Sequence, residues 1–344
     1  MKKIFSILTV FLTLAVTTVS CSSDDDAPIE SSLATITDFS IAIDGVNAAD
    51  IVYDLGTDIL VTVPFGTNLT AVVPTIMVSE NATVSPVSGA AISFVDGEAK
   101  TFTVTAEDEV TTKNYTVTIT VRGEVGSGSQ LKTYEVDELW FGLSTTTYSY
   151  NDANFANSIT KEADEWGTII TTVTDLVYDD KNQIIEKKVT ATNQSTIYTY
   201  ESGKITEADY SVDDVLTYVY NYAYNEFGDL ISEKRTDKTG DEDEVTETLF
   251  TVVDGNVTKE VRYGTDYIAT YDINNNPFKG MYPTAYAAIN VGIESINTNN
   301  PISGSLADDV VTYIYNTDNY PLSASYTSYD GGNTVEKTFT YYAN

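Results

Sequence analysis

Tyr222-Ala223-Tyr224-Asn225-Glu226-Phe227-Gly228-Asp229-Leu230 decides the fold. Two tyrosines one residue apart, an Asn/Asp/Gly turn and an aliphatic residue opening the return are the parts of a β-hairpin. The pattern recurs as Tyr198-Thr199-Tyr200-Glu201-Ser202-Gly203-Lys204-Ile205 and as Tyr313-Ile314-Tyr315-Asn316-Thr317-Asp318-Asn319-Tyr320-Pro321-Leu322. Weaker copies are Leu176-Val177-Tyr178-Asp179 leading to Ile184, Phe250 to Val257, and Thr270-Tyr271-Asp272 leading to Phe278. Tyr178, Tyr200, Tyr224 and Val252 follow one another at intervals in the twenties, which is the spacing of repeated supersecondary units. Residues 131–344 hold 23 of the 25 tyrosines. The expected architecture there is an antiparallel sheet of hairpin repeats, curved or partly closed.

Tyr218, Tyr220, Tyr222 and Tyr224 share one face of a strand by alternation, over roughly 20 Å at about 3.3 Å per residue. Two readings compete for them. As cross-strand packing, aromatic pairs stabilise a sheet by about 0.2–1 kcal/mol each. As an exposed platform, they would stack against sugar rings while acidic side chains accept from sugar hydroxyls. Trp140 and Trp166, near the start of this domain, read equally well as part of such a platform or as a cap on the open end of the sheet. Asp237–Glu244 reads as a solvated hairpin tip; its carboxylates could take calcium, although the EF-hand spacing is absent. From Tyr282 to Asn300 alternation fails, and Ala285, Ala287, Ala288, Val291 and Ile293 allow a short helix or an irregular crossover.

Upstream, Gly123-Glu124-Val125-Gly126-Ser127-Gly128-Ser129 reads as a flexible linker across 123–130. Before it, residues 34–122 are short alternating runs cut by Pro64, Pro74, Pro86, Gly66, Gly89 and Gly97. Tyr115-Thr116-Val117-Thr118-Ile119-Thr120-Val121 alternates strictly, as a half-buried strand does. Several such strands predict a β-sandwich, so the whole chain is expected to be all-β. Residues 21–33 form an acidic tether.

Lys2 and Lys3, the uncharged run Ile4–Val19 and Ser20-Cys21 form a basic start, an apolar core and a small residue, as in a secretory signal over 1–20. The run is too short for a bilayer span of about 20 residues. Cys21 is the only cysteine, so a disulfide framework within the fold and multi-thiolate metal sites are excluded. A net charge of −33 opposes nucleic-acid binding. Histidine is absent, which removes Ser-His-Asp and Cys-His machinery. An enzyme here would have to work with carboxylates, as glycosidases do, and no pair stands out among 51 acidic residues.

Four resemblances add to this reading. Thr18-Val19-Ser20-Cys21 resembles the lipobox of bacterial lipoproteins, which implies acyl chains, palmitate among them, on Cys21 and attachment to a lipid bilayer. Ser22-Ser23-Asp24-Asp25-Asp26 resembles the export tag of Bacteroidetes lipoproteins, which implies the outer membrane with the protein facing the cell exterior. Residues 34–122 resemble an immunoglobulin-like module of such surface lipoproteins. Val63-Pro64-Phe65-Gly66, Val73-Pro74-Thr75-Ile76, Ala82-Thr83-Val84-Ser85-Pro86 and Phe102–Asp108 carry that resemblance, which implies a spacer. Tyr271-Asp272-Ile273-Asn274-Asn275-Asn276-Pro277-Phe278 and Asn319-Tyr320-Pro321-Leu322 resemble degenerate YD (RHS-type) repeats, with too few copies for a closed shell. The expected function is a non-catalytic binding lipoprotein for a polysaccharide or an outer-membrane partner protein. The alternatives are a structural or adhesion component of the envelope and a carboxylate-dependent glycosidase.

Overall fold

The computed structural model describes residues 30–138, 142–290, 297–307, 310–328 and 332–343. Cys21, the signal and Trp140 lie outside the described residues. The protein is all-β, 56% strand and 4% helix. Its contacts divide it into two units that meet near Ile119–Thr120, with Thr62–Thr67 counted in the second.

In the first unit, β1 (Ile36–Ala42), β2 (Val52–Asp54), β3 (Asp58–Val63), β4 (Val73–Val78), β5 (Thr83–Ser85), β6 (Ala99–Thr105) and β7 (Thr112–Val121) form two sheets. One is β1-β4 and the other is β2-β3-β7-β6-β5. Phe39 of β1 meets Phe102 of β6 edge to face at 6.3 Å. Alternation places Tyr115, Val117 and Ile119 of β7 in the core, while their threonine neighbours face outward. The Tyr115 hydroxyl accepts a bond from Ile36 N at 3.1 Å and so ties the two sheets of this sandwich.

The second unit begins with β8 (Leu131–Glu138), β9 (Gly142–Tyr150), β10 (Ala156–Glu165), β11 (Thr168–Tyr178) and β12 (Ile184–Val189). It continues with β13 (Gln194–Glu201), β14 (Lys204–Val212), β15 (Val215–Tyr224), β16 (Leu230–Asp237), β17 (Glu244–Val253), β18 (Asn256–Arg262) and β19 (Thr265–Ile268). After β20 (Thr270–Tyr271), helix α1 (Thr284–Ile289) and β21 (Pro301–Ser303), it ends with β22 (Thr312–Tyr315), β23 (Pro321–Thr327) and β24 (Thr334–Tyr341). All but β20 and β21 make one antiparallel sheet of 15 strands, ordered from β19 down to β8 and then β24-β23-β22. It is not closed into a barrel.

Each hairpin unit carries the same irregularity. Tyr150 pairs with Ala156, Tyr178 with Ile184, Tyr200 with Ile205, Tyr224 with Leu230, Val252 with Val257, Tyr315 with Pro321 and Tyr341 with Leu131. The register shifts at every one of these pairs because the return strand holds one extra residue. Such a bulge bends its strand and raises the local twist. Repeated at one end of successive hairpins, it curls the sheet.

Between the strands a second regularity holds that end. The tyrosine closing one unit donates its hydroxyl to the carbonyl of the residue that opened the previous return. The bonds are Tyr150 to Leu131, Tyr178 to Ala156, Tyr200 to Ile184, Tyr224 to Ile205, Tyr271 to Val257 and Tyr341 to Pro321, all between 2.5 and 2.8 Å. The short pair β20-β21 sits between the two edges of the large sheet. Ala269 N donates to Thr258 O (3.1 Å) on one side of it, and Val311 N donates to Ile302 O (2.9 Å) on the other. Phe278, Met281, Tyr282, Tyr286, Ala287 and Ile289 from the crossover fill the inside of this end.

The crossover contains a short helix, Thr284–Ile289, as its sequence allows, and Val291 and Ile293 lie outside the described residues. One expectation changes. The Gly/Ser stretch expected to be flexible is bound along the second unit instead. Gly126 N donates to Ala153 O at 2.7 Å, and the Glu124 carboxylate accepts from Thr284 N at 3.0 Å.

Candidate binding cleft on the inner face of the sheet

The inner face follows from register. Opposite Tyr134 of β8 stands Thr146, then Lys161 and then Thr172. One row further on, Tyr148 faces Ile159, and Ile159 faces Thr174. The crossover fills this face at the tyrosine-bonded end and leaves it open toward the opposite end. What remains is a cleft of about 750 Å³. Tyr134, Tyr148, Tyr282 and Tyr286 form its apolar floor; Ser144, Thr146, Thr172 and Thr174 line its wall with hydroxyls. Lys161, Lys187 and Glu165 are its charged lining residues. Its size and its mix of aromatic surface with a few polar groups suit a small or extended polar ligand.

Trp166 stands at the β10–β11 tip with a positive φ of 57°. It is 92% exposed, so it caps nothing; it forms part of the rim of the cleft. An aromatic ring held in water at a cleft mouth is available to stack on an apolar sugar face.

Alternation correctly puts the four tyrosines of β15 on one face, and the structure then divides them. Tyr224 donates to Ile205 O, and Tyr222 packs against both core clusters of the second unit. Burial pushes the Tyr224 hydroxyl up to about 12 and that of Tyr222 higher still. Tyr218 lies further from the crossover, stacked on Tyr210 at 5.8 Å, with the Arg235 guanidinium 5.0 Å above its ring. Tyr220 is half-buried beside it. Tyr218 and Tyr210 continue the row that contains Lys187 and Thr196.

At the acidic tip, Asp237 accepts from Thr239 N and Oγ1, and Lys238 pairs with Asp243 at 2.5 Å. Those thronged hydrogen bonds hold the Asp237 carboxyl below its usual range. On the inner face of β16 and β18, burial raises the Glu233 carboxyl, with Arg235 and Arg262 opposing that rise. Buried Glu260 is ion-paired with Arg262. Each of these two carboxylates thus has an arginine beside it.

Lys161, Lys187, Thr172 and Thr174 were not singled out by sequence. Thr172 and Thr174 were within reach, because alternation links them to Leu176 and Tyr178. The bulges on β10 and β12 hide the lysines from a reading by strict alternation.

Comparison with known proteins adds one family. Residues 36–119 match the family model described as SGBP, N-terminal, a domain of Bacteroidetes surface glycan-binding proteins. The reading of 34–122 as a module of Bacteroidetes surface proteins is thereby supported. No curated protein matches the chain. Solved structures with some likeness include a porin-like protein from Bacteroides uniformis, at 16% identity and TM-score 0.41, covering 62% of this chain and 98% of the other. Another is a Bacteroides thetaiotaomicron protein named as a glycoside hydrolase, at 15% identity and TM-score 0.23, covering 68% and 86%. Neither likeness is close enough to carry function. Among the described residues, no helix is long and apolar enough to cross a membrane.

Proposed function

We propose that this chain is a lipid-anchored, non-catalytic glycan-binding protein of a Bacteroidetes-type cell surface. The observation that carries the reading is the match of residues 36–119 to the N-terminal domain of surface glycan-binding proteins. Cys21 is the anchor, and the sandwich is the spacer. The glycan lies in the cleft of the second unit, between the exposed ring of Trp166 and the hydroxyl wall of Thr146, Thr172 and Thr174. Tyr218 and Tyr220 extend that face, whereas Tyr222 and Tyr224 support it from the core. Hydroxyl-rich walls exchange hydrogen bonds with sugar hydroxyls in both directions, because each threonine both donates and accepts.

Affinity electrophoresis of residues 31–344 through gels containing single polysaccharides tests this reading. Retardation by at least one glycan is expected, and Trp166→Ala should abolish most of it without changing the denaturation midpoint. Free migration through every gel would contradict the proposal. Anchoring has its own test: radiolabelled palmitate should enter the wild-type protein in cells and be absent from Cys21→Ala.

A further inference from the structure

We infer that the cleft selects acidic glycans, whose carboxylates pair with Lys161 and Lys187; this rests on the glycan-binding reading of the same site. On a chain with 51 acidic residues and 18 basic ones, a cleft lined by two lysines and one glutamate reverses the local balance. Neither lysine is in an ion pair among the described residues. Lys188, the next residue along, faces outward and is paired with Glu186 at 2.8 Å. The sequence therefore neutralises the outer lysine of this strand and leaves the inner one available.

Register fixes their spacing. Lys161 pairs with Thr172, and Lys187 pairs with Leu176 four residues further along β11. Two strand spacings and four residues put their Cα atoms roughly 16 Å apart. That separation matches charges repeated along a polymer better than the single charge of a monosaccharide. Lys161 is exposed and Lys187 half-buried, so both ammonium groups can reach the cleft with their stems along its wall. The acidic remainder of the surface does not cancel this attraction, because charges more than about 8 Å away are screened at physiological salt. The hydroxyl wall and Trp166 would bind the neutral parts of the same chain.

The test compares polygalacturonate with its fully methyl-esterified form, and both with a panel of neutral polysaccharides, on residues 31–344. Polygalacturonate should retard the protein at physiological ionic strength, where the acidic remainder of the surface is screened, and esterification should weaken binding at least tenfold. Lys161→Gln with Lys187→Gln should produce the same loss at an unchanged denaturation midpoint. Equal binding of the esterified polymer, or full affinity in the double variant, would overturn the inference. Retardation by neutral glycans alone would overturn it while leaving the glycan-binding reading intact. No retardation by any polymer would remove both.

Discussion

Tyr200 shows how the tyrosines of this sheet are used. Its ring packs against the inner core, and its hydroxyl reaches across to Ile184 O at 2.8 Å. The acceptor belongs to a fully buried residue at the bulge, where the ladder is interrupted. Removing the hydroxyl leaves that carbonyl with fewer partners, at a cost of about 1–2 kcal/mol. Tyr200→Phe should therefore lower the denaturation midpoint measurably, while Tyr218→Phe should leave it near wild type; equal effects would contradict the assignment. The same burial has a pH consequence. A tyrosine whose folded pKa is raised favours the fold in its neutral form. That stability is fully present below about pH 10, the unfolded value, and is lost as pH rises through the folded pKa. For Tyr224 the window runs from about 10 to about 12, and for Tyr222 and Tyr198 it extends further upward. Absorbance at 295 nm should show late-titrating tyrosines whose ionisation coincides with alkaline unfolding.

At the level of the strand, the bulges explain what sequence could and could not show. The hairpins were legible because Tyr-x-Tyr, a Gly or Asn turn and an aliphatic opener are local features. Ser202 and Gly203, both at positive φ, form the two-residue turn expected between Tyr200 and Ile205. Strict alternation from the opener then fails. Ile184 and Lys187 both face inward, as do Ala156 and Ile159, Ile205 and Ala208, and Leu131 and Tyr134, because the extra residue shifts the pattern by one. Simple parity from Ile184 would place Glu186 and Lys188 inside and Lys187 outside. The two lysines of the cleft are consequently illegible in the sequence, although the tyrosine core and the threonines of β11 are not. The glycine stretch was misread for a different reason: Gly126 is needed for close approach. A Cβ there would run into the backbone carbonyl of Asn154. Gly126→Ala should destabilise the second unit by about 1–3 kcal/mol, the usual cost of overpacking. An unchanged midpoint would show that the stretch is free after all.

Across the second unit, the two ends of the curled sheet do different jobs. One is filled by the crossover and fastened by tyrosine hydroxyls; the other keeps an open cleft rimmed by Trp166. The hydroxyl and lysine side chains of the cleft stand on paired strands, which hold a surface more rigidly than loops would. Hydrogen–deuterium exchange on residues 31–344, with and without the polysaccharide that retards it most, tests this division directly. Bound glycan should slow exchange in β9, β10, β11 and β12 and leave the first unit unchanged. Protection confined to residues 36–119, with none on those four strands, would contradict the placement of the glycan in the cleft.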